Sequence, residues 1–188
     1  MKKLQYNSPV ILTYVLLCSA VLALSHITGG RSNTLLFCVY RSSLADPLTY
    51  VRLFGHVLGH GGWSHFQSNV LYLLILGPAV EEKYGSRNLL LAMAVTALVS
   101  GAAHCLLSAD SALLGASGIV FMLIFLASLS GMKSGRIPLT LILVAVFYLG
   151  QEVYDALFTA DRVSHITHII GGICGTGLGF AMRSGKRR

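Results

Sequence analysis

Six apolar stretches follow one another along the chain, at about residues 8–28, 64–80, 89–107, 112–130, 138–151 and 164–182, and lysines and arginines fall between them. About 20 apolar residues in helical form cross the hydrocarbon of a bilayer. Backbone hydrogen bonds cannot be left to water there, so each span must close its own as a helix. Only 11% of the 188 residues are charged and 54% are hydrophobic, whereas soluble domains carry about 25% charged residues. So few charges cannot cover a water-facing surface. The pattern predicts an all-α polytopic membrane protein, a single domain over residues 1–188 built as a bundle of six transmembrane helices. The second and fifth stretches are short, so their ends are expected below the membrane surface.

Basic residues set the expected orientation. With the N-terminus inside, ten of the 14 lysines and arginines fall on the inner side, and Arg31, Arg41, Arg52 and Arg162 on the outer side. This bias predicts both termini cytoplasmic, with residues 183–188 as a basic inner tail on an anionic leaflet. A competing reading takes the first stretch, with Lys2 and Lys3 before it, as a signal peptide. The stretch is long for one, and no clean small-x-small site follows it. The net charge of +7 would suit nucleic acid in a soluble protein, but no basic groove or aromatic interleaving accompanies it. Cys18, Cys38, Cys105 and Cys174 are widely spaced and show no metal-ligand spacing, so buried, unpaired thiols are expected, and no cofactor. The first outer loop, about 29–62, is long and mildly apolar. Loops of that length are commonly functional, and this one is expected at the membrane interface.

Polar groups within spans are costly and mark sites. From His65 to Glu81 is 16 positions, from Ser117 to Lys133 is 16, and from His168 to Arg183 is 15. At 1.5 Å per helical residue, these three side chains stand at one level, about 22–24 Å above the inner charges. Asn69 lies one turn deeper than His65 on the same face. That level is below the outer surface of a core about 30 Å thick, so hydrolysis there requires a water-filled cavity open to the outside.

These side chains are the parts of an acyl-transfer centre. A serine hydroxyl attacks only when a base takes its proton, and His168 can be that base, histidine being the residue type most often used for the task. The Ser117 backbone N–H, the His65 ring and the Asn69 amide can donate to an oxyanion. Ser117 is expected at the start of its helix, where N–H groups lack intrahelical partners and the dipole favours negative charge. Two helices must then approach closely. Gly115, Ala116 and Gly118 thin one partner, and Gly171, Gly175 and Gly179 form a ridge on the other.

HFQSN (His65–Asn69), GPAVEEKYG after it, GASG (Gly115–Gly118) and HIIGGICG (His168–Gly175) together resemble the rhomboid family of intramembrane serine proteases. The match in order and spacing runs over about Arg52–Phe180, within a core at about residues 52–182, and each of three motifs falls on a separate span. The resemblance implies a six-helix core and a Ser–His dyad, with Ser117 as nucleophile, His168 as base, and His65 and Asn69 at the oxyanion. It implies cleavage of transmembrane substrates near their outer end, and single-span substrates are the expected partners. Compact size and the positive-inside pattern point to a multi-pass protein of the bacterial inner membrane. Glu81 and Gly85 match a structural E-x-x-x-G element. Two positions depart from the family pattern: Phe121 stands where tyrosine commonly stacks on the histidine, and Thr167 stands where alanine is common. The first outer loop lacks an evident W-R signature.

Plainer roles exist for each residue. Ser117 could be only a small packing residue, His168 an interhelical donor, and Asn69 a structural bridge. His165 is a second candidate base, otherwise placed at the outer rim. His56 and His60 with His65 could form a metal site, but no carboxylate completes it and H-E-x-x-H is absent, so no metal is expected. Both are otherwise a polar loop and helix entry. Glu152 could orient a histidine or meet water at the end of the short fifth helix, which is itself a candidate gate. The rival functions are a catalytically inactive relative that binds transmembrane helices, and a transporter, for which no paired broken helices are visible.

Overall fold

The computed structural model describes residues 5–108, 110–131, 136–150 and 162–185. Among the described residues it is helical throughout, with one isolated antiparallel bridge between Val39 and Leu113. The helices are α1 (Pro9–Ile27), α2 (Pro47–Gly55), α3 (Trp63–Tyr84), α4 (Ser86–Leu107), α5 (Ser117–Ser130), α6 (Leu139–Val144) and α7 (Arg162–Gly185). A π-helical turn, Asn33–Phe37, follows α1, and a second, Ala145–Leu149, continues α6. By length and composition α1 and α4 could each cross a bilayer.

Every predicted apolar stretch carries a helix, with two differences of extent. The second is not short: α3 has 22 residues and runs past Glu81 to Tyr84. The fourth starts later than its apolar run, because residues 113–115 are spent pairing with the first loop, Leu113 on Val39 and Gly115 on the His56 carbonyl. The first outer loop contains α2, which the hydrophobic pattern did not reveal. Asp46 caps it by accepting from the Leu48 N–H, and Pro47 occupies its first turn.

The bundle is apolar within and without. Ile11, Leu73, Leu89, Ile119, Met122, Leu123, Phe125 and Leu126 are fully buried, while Leu16, Leu71, Ile75, Leu90 and Leu91 face outward. Outward leucines spread along several helices are a liability in water and an asset in lipid. The tightest pairing is α5 on α7. A methyl on Gly171 would overlap the Gly118 carbonyl oxygen, and one on Gly175 would overlap the Met122 carbonyl oxygen. At Gly179 it would lie 2.6 Å from Leu129 Cδ1. Gly171 and Gly175 thus sit directly on the backbone of α5, and Gly179 on its leucine side chains.

Glu81 fastens α1 to the far end of α3. Its carboxylate accepts from Ser8 Oγ (2.7 Å), the N–H groups of Val10 (3.0 Å) and Ile11 (3.2 Å), and Ser86 Oγ (2.7 Å). Two donors that open α1 without intrahelical partners are thereby satisfied by a charge favourable to that helix end. Gly85 follows with φ +86°, a left-handed position suited to glycine, and passes the chain into α4. At the other end, the first loop is pinned by arginines. Arg52 donates to the Leu35 carbonyl and to Asp46, and lies over the Tyr40 ring. Arg41 donates to the carbonyls of Cys105 and Leu106, which end α4. All four cysteines are free thiols, with Cys18 and Cys38 buried.

Candidate active site

Ser117 opens α5, so the N–H groups of its first turn have no intrahelical acceptor. The chain reaches it through Gly115, at φ +137°, where a side chain would be strained. Space forbids one as well: a methyl on Gly115 would stand 2.9 Å from His65 Nε2 and 3.9 Å from Ser117 Oγ. The imidazole and the hydroxyl therefore close on either side of a bare Cα. The Gly115 N–H donates to the His56 carbonyl (2.9 Å), which fixes this turn against the first loop.

His168 comes from α7. Its ring stacks on Phe121, with centroids 4.4 Å apart and planes 5° from parallel. The stack holds one face of the imidazole and leaves its edge, where both nitrogens lie, for polar partners. The substitution of phenylalanine for tyrosine thus keeps the ring contact. Gly118, beside Ser117, meets the Thr167 methyl: a Cβ there would stand 3.2 Å from Thr167 Cγ2. His165 lies edge-on to His168 at 6.3 Å, and does not line the cavity described next.

One cavity of about 290 Å³ is lined by His65, Ser68, Asn69 and Tyr72 of α3, by Leu113 and Leu114, by Ser117, Val120 and Phe121 of α5, and by His168 of α7. Five residues singled out from the sequence meet there, and Gly115, Gly118, Gly171 and Gly175 form the close approaches around it. Asn69 is buried, and its Nδ2 donates to the His65 carbonyl at 2.8 Å. One amide hydrogen is engaged in its own helix, which leaves the second for the cavity.

His56 and His60 are not the polar loop residues expected: both are almost fully buried. His56 Nδ1 and Nε2 lie 3.2 Å from the Arg52 carbonyl and 3.3 Å from Ser100 Oγ. His60 packs edge-on against His65, with centroids 5.2 Å apart. Burial pushes both imidazoles down to about 4. The loop therefore supports the cavity from behind through neutral rings. Among the described residues no group of three His, Cys, Asp or Glu has metal-binding geometry. Ser68 and Tyr72, missed in the sequence, follow His65 at i+3 and i+7, the spacing that puts them on its face. Glu152 lies outside the described residues.

The Rhomboid domain family model matches residues 47–185. The chain is 29% identical over 180 residues to the rhomboid protease GlpG of Serratia proteamaculans, a match covering 92% of this chain and 62% of that protein. It is 30% identical over 195 residues to the rhomboid protease GluP of Bacillus subtilis, covering 96% of this chain and 38% of the relative. Against the rhomboid protease GlpG of Yersinia pestis the identity is 28% over 171 residues, covering 88% and 60%. The chain thus spans less than two thirds of the length of these relatives.

Proposed function

The chain belongs to the rhomboid family, and from that premise we propose that it is an intramembrane serine endopeptidase that cleaves membrane-anchored proteins with a Ser117–His168 dyad. The observation that carries the reading is the shared cavity: a serine at a helix start, a histidine stacked on Phe121, and His65 with Asn69 opposite. Curated relatives named as proteases support the same class of activity.

In the proposed reaction, His168 accepts the Ser117 hydroxyl proton as Oγ bonds to the scissile carbonyl carbon. The carbonyl oxygen becomes an oxyanion, held by the first-turn N–H of α5, the Asn69 amide and the His65 ring. Collapse breaks the C–N bond, and the proton held by His168 passes to the leaving amine. Water, deprotonated by His168 in turn, hydrolyses the acyl ester and restores the serine. Six spans, cytoplasmic termini and residence in a bacterial inner membrane complete the proposal. Single-span substrates cut near the outer face fit a cavity at the same end of the bundle as the first loop.

The test is cleavage of a fluorescently tagged transmembrane substrate by purified protein in liposomes, paired with labelling by a fluorophosphonate probe. Ser117→Ala and His168→Ala should each abolish cleavage and labelling. Full cleavage by Ser117→Ala would end the proposal.

A further inference from the structure

A second cavity, of about 480 Å³, lies where α1 ends. Gly29, Gly30, Arg31, Thr34, Leu35 and Tyr40 line it, and it shares no lining residue with the cavity of Ser117 and His168. We propose that this cleft binds the phosphate of an anionic phospholipid, with the headgroup against Arg31 and the acyl chains over Ile27 and Leu35.

Depth favours a lipid. The 19 residues of α1 span about 28 Å at 1.5 Å each, close to the hydrocarbon thickness, so the cleft beyond Ile27 lies at headgroup level. Charge favours an anion. Arg41 and Arg52 are spent on α4 carbonyls and on Asp46. Among the described residues no carboxylate lies within ion-pair range of Arg31. The rim favours a lipid over a small ion: Ile27 is 82% exposed and Leu35 52%, beside the hydroxyl-bearing Thr34 and Tyr40.

The cleft is built rather than incidental. Three carbonyls of the last turn of α1 are already occupied, Leu24 by Thr28, Ser25 by the Gly30 N–H at 2.8 Å and His26 by the Gly29 N–H at 3.3 Å. They therefore do not confront a phosphate as bare acceptors. Gly29 and Gly30, at φ +57° and +85°, have nothing within 4 Å of a Cβ position, and that open space is the cleft. Tyr40, the far wall, is held under the Arg52 guanidinium at 4.7 Å.

The experiment is native mass spectrometry of the purified full chain released from detergent, titrated with phosphatidylglycerol, phosphatidylcholine or inorganic phosphate. The chain should retain phosphatidylglycerol over phosphatidylcholine. Arg31→Gln should lose about tenfold of that preference, the worth of one direct hydrogen bond to a charged group. Thr34→Phe, which fills the cleft and keeps the charge, should lower phosphatidylglycerol retention too. Arg136→Gln, an exposed charge outside the cleft, should leave it unchanged. An unchanged preference in Arg31→Gln and Thr34→Phe would overturn the proposal, as would an equal loss in Arg136→Gln. Displacement of the lipid by millimolar phosphate, or by an acidic peptide, would overturn it by showing a site for another anion.

Discussion

Gly171→Ala adds a single methyl, and its consequence can be worked out from the backbone. That methyl would overlap the Gly118 carbonyl oxygen and approach Phe121 Cβ to 3.0 Å. A carbonyl inside a helix cannot swing away as a side chain could. The helices must separate by about 1 Å to restore van der Waals distance, at a cost of about 1–3 kcal/mol for an overpacked contact. His168 is one turn before Gly171 on the same helix and moves with it, while Ser117 precedes Gly118 on the other. A misplacement of about 1 Å between reacting groups can cost about 100-fold in rate. Gly171→Ala should therefore lose about two orders of magnitude in kcat for a transmembrane substrate in liposomes while remaining folded. Gly177→Ala is the matched control: same helix, same chemistry, nothing within 4 Å of its Cβ position. It should keep full activity and gain stability, by up to about 1 kcal/mol of helix propensity. Equal activity in the two variants would refute the claim that backbone contact between α5 and α7 sets the distance across the proposed dyad.

Replacing Glu81 by alanine should lower stability by about 1–3 kcal/mol, the cost of leaving buried donors unsatisfied, since four donors lose their acceptor. Denaturation in detergent measures it, and Glu81→Gln should lose less. His56 and His60, neutral by burial and lowered from 6.5 to about 4, take up protons more readily when unfolded. Stability is then full above pH 6.5 and falls as pH drops from about 6.5 towards 4. Thermal midpoints from pH 7.5 to 4.5 should show that slope, and His56→Gln should flatten part of it. Phe121→Ala removes the ring stacked on His168, and should cut kcat about 3- to 10-fold by the usual worth of an aromatic pair; cleavage kinetics check it. Asn69→Ala should lower kcat by about 10- to 1000-fold if its free amide hydrogen serves the oxyanion. An unchanged kcat would leave it only the 2.8 Å bond to the His65 carbonyl.

What was readable in the sequence was periodic or local. The apolar runs follow from the cost of bare backbone in hydrocarbon, and the helices lie where the runs do. Ser117, His65 and His168 could be assigned one level because each is a fixed number of helical steps from a charge. Information that is neither periodic nor local was not readable. The nine residues of α2 are too few to show an apolar face, although Asp46-Pro47 was a start signal. Leu113 looks like part of the span that follows, but pairs with Val39, 74 positions away. The burial of His56 and His60 depends on partners such as Ser100 and Asn33 in other segments, and no pattern around a histidine announces them.

The same distinction explains how the cavity is held. On the α5–α7 side the fit is set by main chain against main chain, with glycines at the contacts, so it tolerates almost no change. On the α3 side it is set by side chains: His60 edge-on to His65 and Phe66, and Asn33 donating to the His60 carbonyl. Side chains can repack at modest cost, whereas backbones in contact cannot. The loop and the α3 wall are therefore where the cavity can change shape. The pair formed by Ser117 and His168 rides on the part of the bundle that cannot.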